Sequence, residues 1–194
     1  MNLPNKITLT RIILIPFIIF FYLATFVPFG KLIALILFIV AILTDFLDGK
    51  LARKLKLVTT IGKFMDSIAD KMVTLSMFAI ILCMDGVYQP IGVVSFVIIL
   101  CRELIVSALR QLAAAGNVII AADMWGKVKA TFQFFTIAFF MLLAFLLETF
   151  NLSTTLFNIL NITCYVMLGI TIVVTIVSGL HYLIKNRQVF NAQT

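Results

Sequence analysis

The chain has 194 residues, one domain by length, and is 63% hydrophobic with only 12% charged residues, too few to cover a soluble globule of that size. Its mean hydropathy of +1.18 places it among integral-membrane proteins. The formal net charge is +7, but there is no exposed basic domain to carry it, which excludes nucleic acid as a partner and makes membrane topology the source of the charge.

A spanning helix takes about 20 mostly apolar residues. The first such run, near 11–29, follows Lys6 and Arg11. No small-residue cleavage site comes after it, so it reads as a retained span and not as a signal peptide. The second, 31–49, follows the break "VPFGK" and ends in the polar stretch "DGKLARKLKLVTTIGK". Spans at 64–84 and 90–110 are separated by "MDGVYQP", and the segment 111–129 leads to a fifth span at 130–148. After "ETFNLST" the sixth, 156–184, is long enough to tilt or to continue past the membrane surface. The expected fold is therefore all-α, a single integral-membrane domain over 1–194 with six transmembrane helices. Basic residues mark its orientation. Lys6 and Arg11, then Lys50, Arg53, Lys54, Lys56 and Lys63, then Arg110, Lys127 and Lys129, then Lys185 and Arg187 all fall on one side. The opposite turns hold only Lys31, so both termini are expected in the cytoplasm. Cys83, Cys101 and Cys164 lie in apolar runs without a CxxC pair and are expected to be buried, inert thiols.

The stretch "TDFLDGKLARKLKLVTTIGKFMDSIAD", 44–70, holds Asp45, Asp48, Asp66 and Asp70, half of the eight acidic residues in the chain. Asp45 and Asp48 are three apart and Asp66 and Asp70 four apart, so each pair shares one face of a helix. A short connection makes the two helices antiparallel neighbours, with four carboxylates converging at the cytoplasmic edge of the bilayer. Like charges that close in low dielectric do not all stay ionised alone. Either some are protonated or cations sit among them. Hard divalent cations suit the cluster best, since it contains no His or Cys. Gly49, Ala52 and Gly62 are small residues at the same place, where a ligand or a second backbone can approach closely. Solvated interfacial aspartates paired with nearby lysines are the plain alternative, but acids at membrane depth are costly and functional by default.

The pattern Asp45-x-x-Asp48-Gly49-x-x-Ala52-Arg53, eight residues, then Gly62-x-x-x-Asp66-x-x-x-Asp70 resembles the signature of the CDP-alcohol phosphatidyltransferase family. That resemblance implies a six-spanning, often homodimeric membrane enzyme that moves a phosphatidyl or phosphoalcohol group from a CDP-linked donor to an alcohol and releases CMP. It further implies two divalent ions, Mg²⁺ foremost with Mn²⁺ as a substitute, held by Asp45, Asp48, Asp66 and Asp70, with Asp70 also the general base. Donor contacts are implied for Asn5, Thr8, Asp48, Gly49, Ala52, Arg53 and Gly62. The chemistry suits these residue types in its own right. A two-metal carboxylate site neutralises a pyrophosphate donor in line with attack, a guanidinium binds a phosphate oxygen, and a carboxylate takes the proton of an alcohol.

Within the family, "NLPNKITLTRIILIP" at the start and "CRELIVSALRQLAAAGNVIIAADMWGKVKATFQ" at 101–133 resemble members that use CDP-diacylglycerol as donor and sn-glycerol 3-phosphate as acceptor in bacterial cell membranes. Ala130 departs from the threonine that such members tend to carry after "GKVK". A dianionic acceptor needs a basic pocket, and Arg110, Lys127 and Lys129 stand at the cytoplasmic ends of the fourth and fifth spans. The positive-inside rule accounts for the same three residues without any ligand. Lys127 and Lys129 diverge on a regular helix, so both reach one ligand only if the helix begins between them or the segment near Gly126 is irregular. Arg102 and Glu103, deeper in the fourth span, suit an internal ion pair or polar link as well as substrate contact. His181 and Trp125 read as interfacial residues, and the Asn151 sequon as chance. Serine, inositol phosphate or phosphatidylglycerol are alternative acceptors of the same chemistry. A divalent-cation channel or carrier is a different class, and it calls for acids at several depths instead of one.

Overall fold

The structure, a computed structural model, describes residues 3–54, 60–84, 87–115 and 123–187. The described residues are all-helical, with α1 (Leu3–Leu23), α2 (Gly30–Lys54), α3 (Thr60–Ile81), α4 (Gln89–Ala115), α5 (Met124–Thr149) and α6 (Thr154–Lys185). Stretches of α4, α5 and α6, over Gln89–Ala114, Met124–Thr149 and Thr154–Lys185, are long and apolar enough to cross a membrane. Apolar stretches of α1 and α2 cover Thr8–Leu23 and Gly30–Thr44 among the residues whose side chains are described.

Several helices extend beyond the limits expected from hydropathy. α1 starts at Leu3, not near 11; α2 continues through Asp48 and Gly49 to Lys54; and α5 starts at Met124, not near 130. Hydropathy follows depth in the membrane, whereas a helix needs only its i→i−4 bonds and tolerant side chains. "LARK" at the end of α2 is made of good helix formers. The polar break between the second and third helices therefore narrows to 55–59, which lies outside the described residues.

Two compact units make up the chain: Met1–Val87 with Ile137–Asn161, and Tyr88–Thr136 with Ile162–Thr194. In the first, α1 packs against both α2 and α3. Thr8, Arg11, Ile15, Ile18 and Tyr22, spaced three and four apart, form its buried face. Ala34, Phe38 and Ala41 of α2 and Ala69, Val73 and Met77 of α3 are buried in the same unit. The chain reverses between Leu23 and Gly30, with Phe29 in the left-handed region at φ 59°. Gly30 follows because a Cβ there would lie 2.5 Å from the Phe21 carbonyl oxygen. Lys31 and Glu148 form an ion pair of 3.9 Å.

The second unit buries polar side chains beside apolar ones such as Ile99, Leu109 and Leu168, and has an apolar exterior. Thr171, Thr175 and Ser178 of α6 are buried, as are Gln133 and Thr136 of α5, while Val166, Val173 and Leu180 of α6 face outward. The Thr136 and Thr171 hydroxyls lie 2.8 Å apart, each 3.3 Å from a carbonyl of the opposite helix, Met167 O and Phe132 O. Such an arrangement suits a lipid surround, where hydrogen bonds across helices take over from hydrophobic burial. Tyr165 Oη accepts the Tyr88 N–H at 2.6 Å. In the first unit, Ser153 Oγ accepts the Leu156 N–H at 3.3 Å as the N-cap of α6. Of the three cysteines only Cys164 is buried; Cys83 and Cys101 are exposed. The expectation of three buried thiols fails because an apolar run in this chain can turn its side chains outward.

Candidate active site

The aspartate motif lies on two helices that share α1 as a neighbour. Asp45, Asp48, Gly49, Ala52 and Arg53 fall in the last three turns of α2, and Gly62, Asp66 and Asp70 in the first three turns of α3. Helical backbone at both places sets the i,i+3 pair Asp45 and Asp48 one turn apart on α2, and the i,i+4 pair Asp66 and Asp70 one turn apart on α3. The side chains of Asn5, Asp45, Asp48, Gly49, Ala52, Arg53, Gly62 and Asp66 lie outside the described residues. Asp70 is exposed, and its carbonyl accepts the Thr74 hydroxyl at 3.0 Å. Thr8, the second residue expected near the donor, is buried on α1 at 3% exposure. Carboxylates at the end of α2 and the start of α3 would offer hard oxygen ligands, the kind that suits a divalent cation such as Mg²⁺.

Arg11 was legible in the sequence only as a topology mark. In the structure it is 2% exposed, one turn from Thr8 on the face of α1 that packs into its unit. A guanidinium buried that far is not a solvated surface charge.

The basic residues of the second unit have separate surroundings. Arg110 and Lys127 are exposed, whereas Lys129 is buried. The irregular segment that would let Lys127 and Lys129 converge is not seen. α5 begins at Met124 and runs through Gly126 as regular helix, so the two side chains diverge. The Lys129 ammonium donates to Glu103 Oε1. The same carboxylate oxygen receives Arg102 Nη1 at 3.2 Å, and Arg102 Nη2 donates to Ser178 Oγ at 2.7 Å. Of the two readings open for Arg102 and Glu103, the structure shows the internal polar link, which ties α4 to α5 and α6. Arg102 lies close along α6 at Gly179, where a Cβ would come within 3.1 Å of its Cγ. Near the start of α5, Asp123 meets Lys185 at 3.2 Å and His181 at 3.5 Å. The His181 ring centroid is 6.3 Å from that of Trp125.

Comparison with known proteins adds identity to this geometry. The model of the CDP-alcohol phosphatidyltransferase family matches residues 1–177. The chain belongs to that family. Similar proteins include a CDP-diacylglycerol–glycerol-3-phosphate 3-phosphatidyltransferase of Bacillus subtilis, 36% identical over 196 residues and covering 95% of each chain. Proteins with the same name from Haemophilus influenzae and Rickettsia bellii are 36% identical over 185 residues and 37% identical over 142. The first of these alignments covers 94% of this chain and 91% of the relative, the second 73% and 75%. The likeness to the Bacillus protein extends through the last two helices, further than the quoted motifs reach.

Proposed function

We propose that this chain transfers the phosphatidyl group of CDP-diacylglycerol to sn-glycerol 3-phosphate, giving phosphatidylglycerophosphate and CMP. The observation that carries this is the name shared by relatives at 36% identity over nearly the whole chain. The complete aspartate signature on α2 and α3 supports the same chemistry.

In this reading Asp45, Asp48, Asp66 and Asp70 hold two divalent ions, Mg²⁺ first. When bound, the ions neutralise the pyrophosphate of the donor and polarise the phosphorus to be attacked. The protein's own groups do the rest. Arg53 binds a phosphate oxygen of the donor through a charge-assisted hydrogen bond, while Asn5, Thr8, Gly49, Ala52 and Gly62 shape the nucleotide's seat. Asp70 takes the proton from the acceptor hydroxyl as the new ester bond forms and CMP leaves. Arg110 and Lys127 receive the acceptor's phosphate. Lys129, buried against Glu103 and diverging from Lys127, is left out of this acceptor site. The donor's acyl chains stay in the bilayer while its headgroup reaches a cytoplasmic cavity, with all six helices spanning a bacterial cell membrane, both termini inside, and two chains forming a dimer.

The test is CMP release by purified protein in CDP-diacylglycerol micelles, with a panel of acceptors. Glycerol 3-phosphate should support turnover with Mg²⁺, and EDTA should abolish it. Asp70→Asn should lower turnover by on the order of 10² to 10⁴-fold. Preference for serine, inositol phosphate or phosphatidylglycerol would refute the acceptor, and full activity in chelator would refute the metal site.

A further inference from the structure

The buried guanidinium of Arg11 needs a counter-charge. Arginine does not give up its proton in a protein, and an unpaired charge removed from water is strongly unfavourable. Arg11 is 2% exposed and lies on the α1 face that carries Thr8, Ile15 and Ile18, in the unit formed by Met1–Val87 and Ile137–Asn161. That unit contains six of the chain's eight acids: Asp45, Asp48, Asp66, Asp70, Asp85 and Glu148.

Their positions along the helices separate them. Glu148 pairs with Lys31, at the start of α2, where the chain has just left the far end of α1. Asp85 follows the end of α3 at Ile81. α1 and α2 run antiparallel across their tight connection, and α3 reverses direction again. The end of α1 that bears Arg11 is therefore level with the end of α2 and the start of α3, the segments that carry the other four acids. Arg11 is twelve residues before Leu23, roughly 18 Å along the helix, too far to reach Glu148, and Asp85 lies outside the described residues.

We propose that Arg11 is a positioning residue for the aspartate motif, a fixed cation matched to one of the carboxylates among Asp45, Asp48, Asp66 and Asp70. It offsets part of the cluster's negative charge before any divalent ion arrives. The inference rests on reading the motif as a divalent-cation site. It gives a role to a residue that the positive-inside rule alone would leave as a marker of orientation.

Charge compensation and simple packing differ in how they respond to Mg²⁺. Melting temperatures of the full-length protein in detergent would be measured in EDTA and across a Mg²⁺ titration, for wild type, Arg11→Lys and Arg11→Met. Removing the fixed cation leaves the cluster more negative. Arg11→Met should therefore lose most stability in EDTA and recover part of it with Mg²⁺. Its apparent Mg²⁺ dissociation constant, read from the shift, should fall by roughly tenfold, while Arg11→Lys stays close to wild type. Equal losses in EDTA and in Mg²⁺ would mean that Arg11 only fills space and would overturn the inference. If wild type itself shows no Mg²⁺ shift, the metal reading fails first and this one with it. Should Arg11→Met not fold at all, it is combined in turn with Asp45→Asn, Asp48→Asn, Asp66→Asn and Asp70→Asn. One of the four pairs should regain the folded state, and recovery in none of them refutes the pairing.

Discussion

Glu103 enters the interior of its unit together with Lys129 and Arg102, and the balance between them is a matter of single side chains. Glu103 and Lys129 are each 7% exposed, so neither has water to fall back on. Removing one partner of a buried pair strands the other, at a cost of about 3–5 kcal/mol, whereas replacing both by apolar groups of similar shape is often neutral. Glu103→Leu and Lys129→Met should each lower unfolding stability in detergent by that amount. The double variant should recover most of the loss. Additive losses in this cycle would show that the two residues stabilise the unit independently. Arg102 complicates the outcome in a known direction. It keeps its bond to Ser178 but has no carboxylate in the double variant, so recovery is expected to be incomplete.

Among the helices, the sharpest contrast in packing lies at two glycines. A Cβ on Gly30 would come within 2.5 Å of the Phe21 carbonyl oxygen, a backbone atom that cannot swing aside, while Gly126 in the first turn of α5 has nothing within 4 Å. Gly30→Ala should push α1 and α2 apart and cost about 1–3 kcal/mol, as overpacking does. Gly126→Ala should stabilise α5 by about 0.5–1 kcal/mol through backbone entropy. Chemical unfolding of both variants checks the pair, and equal effects would contradict the packing of α1 on α2. The sequence carries neither difference, because both glycines stand beside polar residues near a helix start. It does carry what depends on local spacing. The separations of Asp45 from Asp48 and of Asp66 from Asp70 set each pair on one helix face whatever the rest of the chain does. Helix ends were less legible, since α2 passes through Asp48 and Gly49 to Lys54 while hydropathy reports only where the bilayer stops. Least legible were pairings between distant helices. Lys129 with Glu103, and the burial of Arg11, depend on register and rotation, which basic residues near span ends do not encode.

For the molecule as a whole, charge and length bear differently on how many of the six helices cross the membrane. α4, α5 and α6 have the length and apolarity to cross, and α1, α2 and α3, of 21, 25 and 22 residues, are as long as a span requires. If only the last three crossed, the connection after α2 and the segment after α6 would lie on opposite sides. The basic residues argue against that, because Lys50, Arg53, Lys54, Lys56, Lys185 and Arg187 would then be split between the two faces, contrary to the positive-inside rule. Six spans put both groups inside. The polar, helix-bearing ends of α1 and α2 then extend past the bilayer on the cytoplasmic side, which suits a site that must meet a soluble acceptor. Single cysteines at Lys56, Asn151 and Arg187, placed in a chain whose Cys83, Cys101 and Cys164 are replaced by alanine, distinguish the two arrangements. A membrane-impermeant maleimide applied to intact cells should label the cysteine at Asn151 alone. Those at Lys56 and Arg187 should react only after permeabilisation. Labelling of just one of Lys56→Cys and Arg187→Cys from outside would mean an odd number of crossings between them, and the aspartate motif and the C-terminal end of α6 would then face different compartments.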